Sequence, residues 1–511
     1  MNVRVSEEFG MYFARIPLKT SPHIVNGNAL TIEWNDVLPA EQCRYVLGNP
    51  PFIGKTYQSS EQKADMEKVA GIIKGAGLLD FVAAWYVKAA RYIDTVRPEL
   101  AEGLHADHAS TSSARTDVRC AFVSTNSITQ GEQTSVLWSW LLSQGIHIHF
   151  AHRTFQWNNE AKGMAAVHCV IIGFGAFDVE KKIIFEYDDI KGEPHAVVAK
   201  NINPYLVDAP TVLLEKRRVP ICSGAPEMVY GSKPTDGGNL LLSEEEKAEL
   251  LAAEPQAAAW LRRFIGADEF LYDTPRYCLW LENCPPNQLR QMPKVMARVE
   301  AVRDMRRASK KAPTRELATT PTLFGELRQP TSHYLAIPEV SSERRTYLPI
   351  GFTSPDVVAS NKIYTVSNAS PYHFGILNSA MHMSWMRYTC GRLESRYQYS
   401  AGIVYNNYPW PDEPTDKQRA TVEAAAQAVL DARAQFPQSS LADLYDPLTM
   451  PPALVKAHQA LDRAVDACYR KAAFASDAQR VEFLFECYQQ LTSLLPAVSA
   501  KKTRKPNGAK E

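Results

Sequence analysis

The stretch YVLGNPPF at residues 45–52 decides the fold, because an apolar strand runs directly into a rigid asparagine–proline loop. Four more runs are rich in β-branched and apolar residues and are typical of strands: HIVNGNAL (23–30), RCAFVSTN (119–126), IHIHFAHRTF (146–155) and AAVHCVIIGF (165–174). Apolar residues at helical spacing predict helices in two of the gaps, at 78–94 and 134–144. Strands that alternate with helices predict an α/β domain with a doubly wound sheet.

The character of the sequence changes near residues 185 and 412, which predicts domain boundaries there. After the α/β part come short β-like pieces and turns, which predict an α+β domain, and then long alanine-rich helical patterns. The predicted divisions are an α/β domain at 1–185, an α+β domain at 186–412, a helical region at 413–498 and a disordered basic tail at 499–511.

Several segments inside these domains carry their own predictions. Residues 243–266 read as a helix that Ser243 caps and that Pro255 breaks or restarts. A polar loop is predicted at 100–118, and YNNYPWPDEPTD (405–416) predicts a proline-rich linker.

Composition excludes several classes of protein. The 511 residues contain 56 basic and 56 acidic side chains, so a nucleic-acid partner has to be met by local basic patches. Nine scattered cysteines without a C-x-x-C motif favour reduced thiols in the cytoplasm, and they predict neither a disulfide framework nor a metal site. No stretch has the length of a membrane span or the pattern of a signal peptide.

The asparagine–proline loop has the chemistry that methylation of an exocyclic amine requires. An asparagine side-chain oxygen and a prolyl carbonyl each accept one N–H of the amine, which turns the nitrogen lone pair toward a methyl donor. The prolines keep the loop rigid, and an aromatic ring offers a face to an extruded base. The predicted catalytic residues are therefore Asn49, Pro50, Pro51 and Phe52. The alternative is a proline turn that merely caps a strand.

With its surroundings, this loop resembles motif IV of the MmeI-like DNA adenine-N6 methyltransferases, which are fused restriction–modification enzymes. The resemblance runs from about residue 20 to the end of the chain. It rests on NGNALTIEW (26–34), LLDFVAAWYVKAA (78–90), FVSTNSITQGEQ (122–133), TFQWNNEAKGMAAVHCVIIGF (154–174), IPEVSSERRTYLPIGF (337–352) and YSAGIVYNNYPWP (399–411). It implies a class I, Rossmann-like methyltransferase sheet, a DNA target-recognition domain, and S-adenosylmethionine as the methyl donor.

The resemblance also implies roles for particular residues. Asn28, Asp80 and Phe81 match positions beside the cofactor, and Phe155 or Trp157 matches a second aromatic wall for the flipped base. Each has a plainer alternative: a turn asparagine, an aspartate that favours a helix dipole, and core aromatic rings.

The sequence departs from the family at the cofactor site. No D-P-x-x-G-S-G motif stands before GNAL, and the glycines between Gly71 and Gly77 follow no strand. The catalytic domain is therefore expected to be partial, with the strand at 45–48 as an unpaired edge. We expect an amino-terminal methyltransferase fragment, supplied in trans, to complete it.

Basic residues in the second domain predict contacts with double-stranded DNA. Nine arginines and lysines crowd into residues 290–315, several at helical spacing, and two further arginine pairs follow. The candidates are Arg303, Arg306, Arg307, Lys310, Lys311, Arg344, Arg345, Arg392 and Arg396. The alternative for the first group is a solvated surface helix.

Three functional hypotheses follow from the sequence. The first is a site-specific DNA adenine-N6 methyltransferase of a restriction–modification system, or its catalytic portion. The second is a DNA-specificity module, or a truncated remnant, with no activity of its own. The third is a protein-glutamine methyltransferase, since such enzymes also use Asn-Pro-Pro-aromatic loops.

Overall fold

A six-stranded mixed sheet organises the catalytic domain in the computed structural model, which describes residues 23–95, 117–157 and 167–493. The sheet has the order β1-β2-β4-β3-β5-β6. Its strands are β1 (Tyr45–Gly48), β2 (Arg119–Thr125), β3 (His147–Trp157), β4 (Val167–Gly175), β5 (Lys182–Glu186) and β6 (His195–Ala199). Four of the predicted strand regions are therefore confirmed, and β6 extends the sheet beyond the boundary predicted at residue 185.

Helices cover one face of this sheet. They are α1 (Trp34–Val37), α2 (Ser60–Ala70), α3 (Ala83–Asp94) and α4 (Gly131–Ser143). Helix α3 is held by the fully buried Tyr86, whose ring stacks 5.2 Å from that of Phe174 and whose hydroxyl lies 2.8 Å from Ser124 Oγ. Both helices predicted from apolar spacing are confirmed, because that spacing places the buried side chains on the face toward the sheet.

Strand β1 is an edge of the sheet within the described ranges. It pairs in parallel with β2 alone, and Tyr45 and Leu47 are 65% and 75% exposed. The predicted open edge is confirmed. The strand predicted at 23–30 is wrong, because these residues form coil and a turn in which Ile24 is 80% exposed.

The second domain is built from three small sheets. Their strands are β7 (Val229–Tyr230), β8 (Leu241–Leu242), β9 (Leu261–Ile265), β10 (Tyr277–Leu279), β11 (Tyr334–Pro338), β12 (Val340–Ser341), β13 (Gly351–Thr353), β14 (Val358–Ala359), β15 (Ile363–Ser367), β16 (Gly391–Leu393) and β17 (Arg396–Gln398). The α+β prediction is confirmed.

The helices of this domain lie between and after those strands. They are α5 (Glu244–Ala253), α6 (Ala267–Tyr272), α7 (Pro286–Arg290), α8 (Pro293–Arg307), α9 (Ala312–Glu316), α10 (Pro371–Leu377) and α11 (Ala380–Thr389). Ser243 caps α5 in a capping box with Glu246, as predicted for this residue. The helix predicted at 243–266 is wrong in its second half, because Pro255 starts a short 3₁₀ turn and residues 261–265 pair as β9.

The helical end shares its core with the second domain. Its helices are α12 (Asp416–Ala434), α13 (Leu441–Leu444), α14 (Pro452–Tyr469) and α15 (Asp477–Ser493). Trp385 of α11 packs 5.1 Å from Phe485 of α15, and both lie in one buried cluster. The helical end and part of the second domain therefore share one hydrophobic cluster, while residues such as Leu240 and Val302 belong to a separate one.

The predicted linker at 405–416 is wrong over its first half. Tyr405, Asn407 and Tyr408 are fully buried, and Asn407 Nδ2 donates to three main-chain carbonyls. A buried amide with all its bonds made fixes this segment as part of the core. The predicted polar loop at 100–118, except its last two residues, and the basic tail at 499–511 lie outside the described residues.

Candidate active site

The predicted catalytic loop, residues 49–55, leaves the sheet at the carboxyl end of β1. Asn49 and Pro51 are exposed, Pro50 is buried and Phe52 is half-buried. The sheet approaches the loop closely at Gly48, where a β-carbon would lie 3.1 Å from the Phe122 ring. The predicted loop thus stands where open α/β sheets bind ligands, with its asparagine facing solvent.

Hydrogen bonds from main-chain and side-chain groups clamp the far end of the catalytic loop onto the segment before α3. The N–H of Phe81 donates to Ile53 O at 2.9 Å, and the N–H of Lys55 donates to Asp80 Oδ1 at 2.9 Å. The amide of Gln58 adds a bond to Leu79 O at 3.1 Å. These bonds fix the loop from the side opposite β1.

Asp80 is the centre of this clamp. Its second oxygen accepts from Ser127 Oγ at 2.5 Å, and its own N–H donates to Gln133 Oε1 at 2.8 Å. Asp80 is only 9% exposed, and Phe81 is 5% exposed against Trp85. Both residues predicted to border the cofactor are occupied with holding the loop, and their cofactor role stays a prediction.

Ser127 and Gln133 are site residues that the sequence reasoning missed. Both lie just after β2, within residues 122–133. Polar side chains directly after a strand that neighbours the catalytic strand are a usable signal, because parallel strands end at the same edge of a sheet.

Asn28 forms a turn. Its Oδ1 accepts from the N–H of Leu30 at 3.0 Å, and its Nδ2 donates to Asp65 Oδ2 of α2 at 2.8 Å. This is the plainer alternative for Asn28, an asparagine that closes a turn and ties it to a helix. A cofactor contact by Asn28 remains a prediction.

Phe155 lies at the same edge of the sheet as the catalytic loop. It pairs with Cys169 of β4, which in turn pairs with Thr125 at the end of β2. The half-buried Phe155 ring stacks on Tyr187, with ring centroids 5.4 Å apart. Trp157 ends β3, but its side chain lies outside the described part of the structure.

A half-buried histidine lies beside this aromatic pair. The ring of His152 stacks 4.2 Å from that of Phe185, and its Nδ1 lies 2.8 Å from Tyr187 Oη. Burial lowers the pKa of His152, so its imidazole is neutral at pH 7. The aromatic wall around Phe155 therefore carries no positive charge from this histidine.

The predicted DNA contact of Arg306 is wrong. Its side chain is fully buried, so it cannot reach a phosphate. The guanidinium donates to five main-chain carbonyls at 2.7–3.0 Å: Pro234, Thr235, Leu317, Thr320 and Leu323. Arg306 therefore joins two loops to α8, which is a structural task.

The other basic residues of this segment face solvent at least in part. The side chain of Arg303 is 32% exposed and pairs with Glu300 at 2.6 Å, whereas that of Arg307 is 66% exposed and 3.9 Å from Asp304. Lys310 and Lys311 are exposed just after α8. These four residues can reach an anionic partner.

Arg344 and Arg345 differ in their surroundings. Arg344 is exposed, 3.7 Å from Asp446, whereas Arg345 is 8% exposed and bonds to Ser341 Oγ at 3.3 Å. Burial lowers the pKa of the Arg345 guanidinium. Arg345 lines a cleft of about 520 Å³ in the second domain, which Arg396 also lines.

The 391–398 hairpin, made of β16 and β17, carries the last two predicted arginines. Arg396 pairs with Glu394 at 3.0 Å, and both face solvent. Arg392 is half-buried, with its guanidinium 3.9 Å from the Tyr397 ring centroid and a bond to Ser395 O at 3.0 Å.

Neither a metal site nor a membrane span is found in residues 23–95, 117–157 and 167–493. No group of three or more metal-ligating side chains occurs in these ranges. No helix there is long and apolar enough to cross a bilayer.

Comparison with known proteins assigns the chain to a family. Three domain models match it in succession: "MmeI, DNA-methyltransferase domain" over residues 1–186, "MmeI, target recognition domain" over 208–412 and "MmeI, C-terminal domain" over 414–496. The chain belongs to the MmeI family. Its fold is accordingly a methyltransferase sheet followed by a target-recognition domain and a helical end.

Two relatives of the MmeI family show how far the similarity extends. The chain is 38% identical to DNA methyltransferase A of Bacillus subtilis (strain 168) over 479 residues, which are 93% of this chain and 51% of that protein. It is similar to the type IIL restriction-modification enzyme MmeI, solved in complex with DNA, with 53% identity and a TM-score of 0.81. That match covers 96% of this chain and 63% of the solved one. The chain thus spans about half the length of its curated relative.

Proposed function

We propose that the chain carries the catalytic loop and the target reader of a site-specific DNA methyltransferase of a restriction–modification system, which methylates the N6 amine of adenine. The observation that carries the proposal is an exposed Asn49 at the carboxyl end of β1, in a loop clamped at its far end, within a chain of the MmeI family. DNA methyltransferase A and MmeI are the relatives that support the reaction class.

The loop acts by orienting the amine. The side-chain oxygen of Asn49 and the carbonyl of Pro50 each accept one N–H of the adenine N6 amine, which leaves its lone pair directed away from the loop. Phe52 and Phe155 offer ring faces to the extruded base, since a base must leave the duplex before chemistry at its amine. Pro50 and Pro51 limit the motion of the loop while the base is held.

Contacts with the double-stranded DNA partner are proposed for the exposed basic residues. Arg303, Arg307, Lys310, Lys311 and Arg344 face solvent at least in part, so they suit phosphates, which give affinity without sequence preference. Arg396 on the 391–398 hairpin faces solvent and suits base edges, because a guanidinium can make paired bonds to guanine. Arg392 and Arg345 would have to exchange their present protein contacts for such bonds.

The methyl donor proposed from the family is S-adenosylmethionine, which supplies an electrophilic methyl group when bound. The described residues do not form a complete site for it. The carboxylate of Asp80 and the amide of Asn28 already have partners, and Phe81 is buried.

We propose that an amino-terminal methyltransferase segment completes the cofactor site by pairing with the edge of β1 that has no partner strand among the described residues. The exposed Tyr45 and Leu47 on that edge support this, as does an apolar cleft of about 490 Å³ beside them, which Phe150 and Ile183 also line. An unpaired strand edge next to uncovered apolar surface is a site for strand addition.

A second function has one observation in its favour. Since all three predicted cofactor residues are engaged elsewhere, the chain alone fits a DNA-specificity module without activity. The protein-glutamine hypothesis is weakened by the match of residues 208–412 to a target recognition domain.

The test is tritium transfer from S-adenosylmethionine to unmethylated phage DNA, with and without the amino-terminal half of a relative. We expect turnover only with the added half, and Asn49→Ala should reduce it by about 10²–10³. Asn287→Ala is the matched control, because Asn287 is also an exposed asparagine beside two prolines. Equal activity of the Asn49→Ala and wild-type chains would remove the proposal. Absence of turnover in every mixture would favour the specificity module.

A further inference from the structure

The 391–398 hairpin contacts the catalytic domain at the first turn of α4. Arg392 Nε donates to Gln130 Oε1 at 3.3 Å, and Gln130 Nε2 lies 3.5 Å from Arg387 O, just before the hairpin. Next to Gln130 the backbones meet, because a β-carbon on Gly131 would lie 3.1 Å from Gly391 Cα. Two glycines at the contact let the backbones approach closely.

The same helical turn holds the clamp of the catalytic loop. Gln133 stands three residues after Gln130 and accepts from the N–H of Asp80 at 2.8 Å. Asp80 in turn accepts from the N–H of Lys55 in the catalytic loop at 2.9 Å. One turn of α4 therefore contacts the hairpin through Gln130 and the loop clamp through Gln133.

This turn is rigid. Gln130 is 9% exposed, and Thr134 is fully buried. Trp138 of α4 donates from Nε1 to Ile128 O at 2.9 Å, which ties the preceding 3₁₀ turn to the helix. Ser127 of that turn bonds to the other Asp80 oxygen at 2.5 Å. Two sets of contacts therefore connect the segment around Gln130 to Asp80: one through Gln133 of the helix and one through Ser127 of the 3₁₀ turn.

Arg392 connects this turn to the part of the hairpin that faces outward. Its guanidinium lies over the Tyr397 ring and is held by Ser395 O at the hairpin turn. Glu394 in that turn has a positive φ of 59°, and it faces solvent with Arg396. A ligand that moves the hairpin turn therefore acts directly on the group that Gln130 contacts.

We propose that Gln130 is a positioning residue that couples the 391–398 hairpin to the catalytic loop, so that engagement of the hairpin sets the placement of the loop. The effect of loop placement on methyl transfer rests on the proposed function, since a displacement of the reacting groups by about 1 Å can slow the transfer by about 10²-fold. The coupling itself rests only on the contacts between Arg392, Gln130, Asp80 and Lys55.

The experiment is hydrogen–deuterium exchange of the full chain, read at the Lys55 amide in peptides that cover residues 53–58. Gln130→Ala and Arg392→Ala should each speed exchange there by about threefold. Gln130→Glu should restore the wild-type rate, because its carboxylate still accepts from Arg392 Nε. The Lys55 exchange rate of the double variant should equal that of each single variant, since both substitutions remove the same contact.

Two internal controls separate coupling from general loosening. Gln144→Ala, at the other end of α4, should leave the Lys55 rate unchanged. Amides of β2 report whether the sheet itself has been destabilised. Three results would each overturn the proposal. The first is an unchanged Lys55 exchange rate in both Gln130→Ala and Arg392→Ala. The others are effects that multiply in the double variant, or an equal acceleration of exchange in β2.

A kinetic measurement adds a readout that structural support alone would not move. In the reconstituted tritium-transfer assay, Gln130→Ala should lower kcat by about tenfold and leave KM for DNA within about twofold. Raised KM with unchanged kcat would overturn the positioning role. A wild-type chain that never transfers methyl would refute the proposed function, while the exchange measurement would still decide the coupling.

Discussion

Replacing Arg306 by alanine removes the donor of five hydrogen bonds to main-chain carbonyls in segments 234–235 and 317–323. Net stabilisation by hydrogen bonds to a charged group is roughly 1.5–3 kcal/mol each, but water entering the vacated space recovers part of it. We therefore expect the free energy of unfolding of the second domain to fall by about 4 kcal/mol, near the roughly 3–5 kcal/mol for breaking a buried charged contact.

The assay is urea unfolding followed by tryptophan fluorescence, because Trp280 packs 5.1 Å from Phe324 in the same lobe. With a slope of roughly 2 kcal/mol per molar, the midpoint should drop by about 2 M. Arg307→Ala is the matched control: its side chain is 66% exposed, so its midpoint should stay unchanged.

DNA binding should show the opposite pattern in the same pair of variants. Loss of Arg307 should lower the log–log salt slope by about 0.9 if it contacts a phosphate, whereas the folded Arg306→Lys variant should keep the wild-type slope. A stable Arg306→Ala protein, or a reduced salt slope in Arg306→Lys, would refute the structural assignment of Arg306.

Three further predictions concern the site, the cofactor and pH. Asp80→Ala should lower methyl transfer more than Asp80→Asn, because an asparagine oxygen still accepts from the Lys55 N–H; equal losses in transfer assays would contradict this. Calorimetric titration of the chain alone should show at most weak binding of S-adenosylmethionine, and tight binding would mean that a cofactor site lies within these residues. Burial lowers the pKa of His382 to about 3, so stability should be lost as pH falls from about 6.5 toward 3. In denaturant unfolding, the free energy of unfolding of His382→Leu should depend less steeply on pH. An unchanged dependence would exclude His382 as a cause of the loss of stability in acid.

The catalytic half of the fold was predictable from local patterns. Period-two runs located β2, β3 and β4, and helical spacing located α3 and α4, because these elements bury one face against the same sheet. The run 23–30 has the same apolar character and forms no strand, since no described neighbour pairs with it. An apolar pattern shows that a segment can form a strand, but it does not show whether a partner strand is present.

The predicted DNA contact of Arg306 was wrong because the prediction ignored which face of the helix this residue lies on. Arg306 continues the buried series Val295, Val299 and Val302 at spacings of three and four residues. This helical spacing places Arg306 on the inner face of α8, but its many charged neighbours make it look like one of a group of surface residues. The position of Ser127 and Gln133 directly after β2 marks them as candidates for the site, but their contacts with Asp80 are tertiary and follow only from the fold.

Nucleoside mass spectrometry identifies the base that is methylated and the dependence of methylation on Asn49. Phage DNA is incubated with the chain, the amino-terminal half of a relative and deuterated S-adenosylmethionine, and then digested to nucleosides. We expect label in N6-methyldeoxyadenosine alone, and loss of that label with Asn49→Ala but not with Asn287→Ala. Label in a methylated cytosine, or undiminished adenine label with Asn49→Ala, would contradict this expectation.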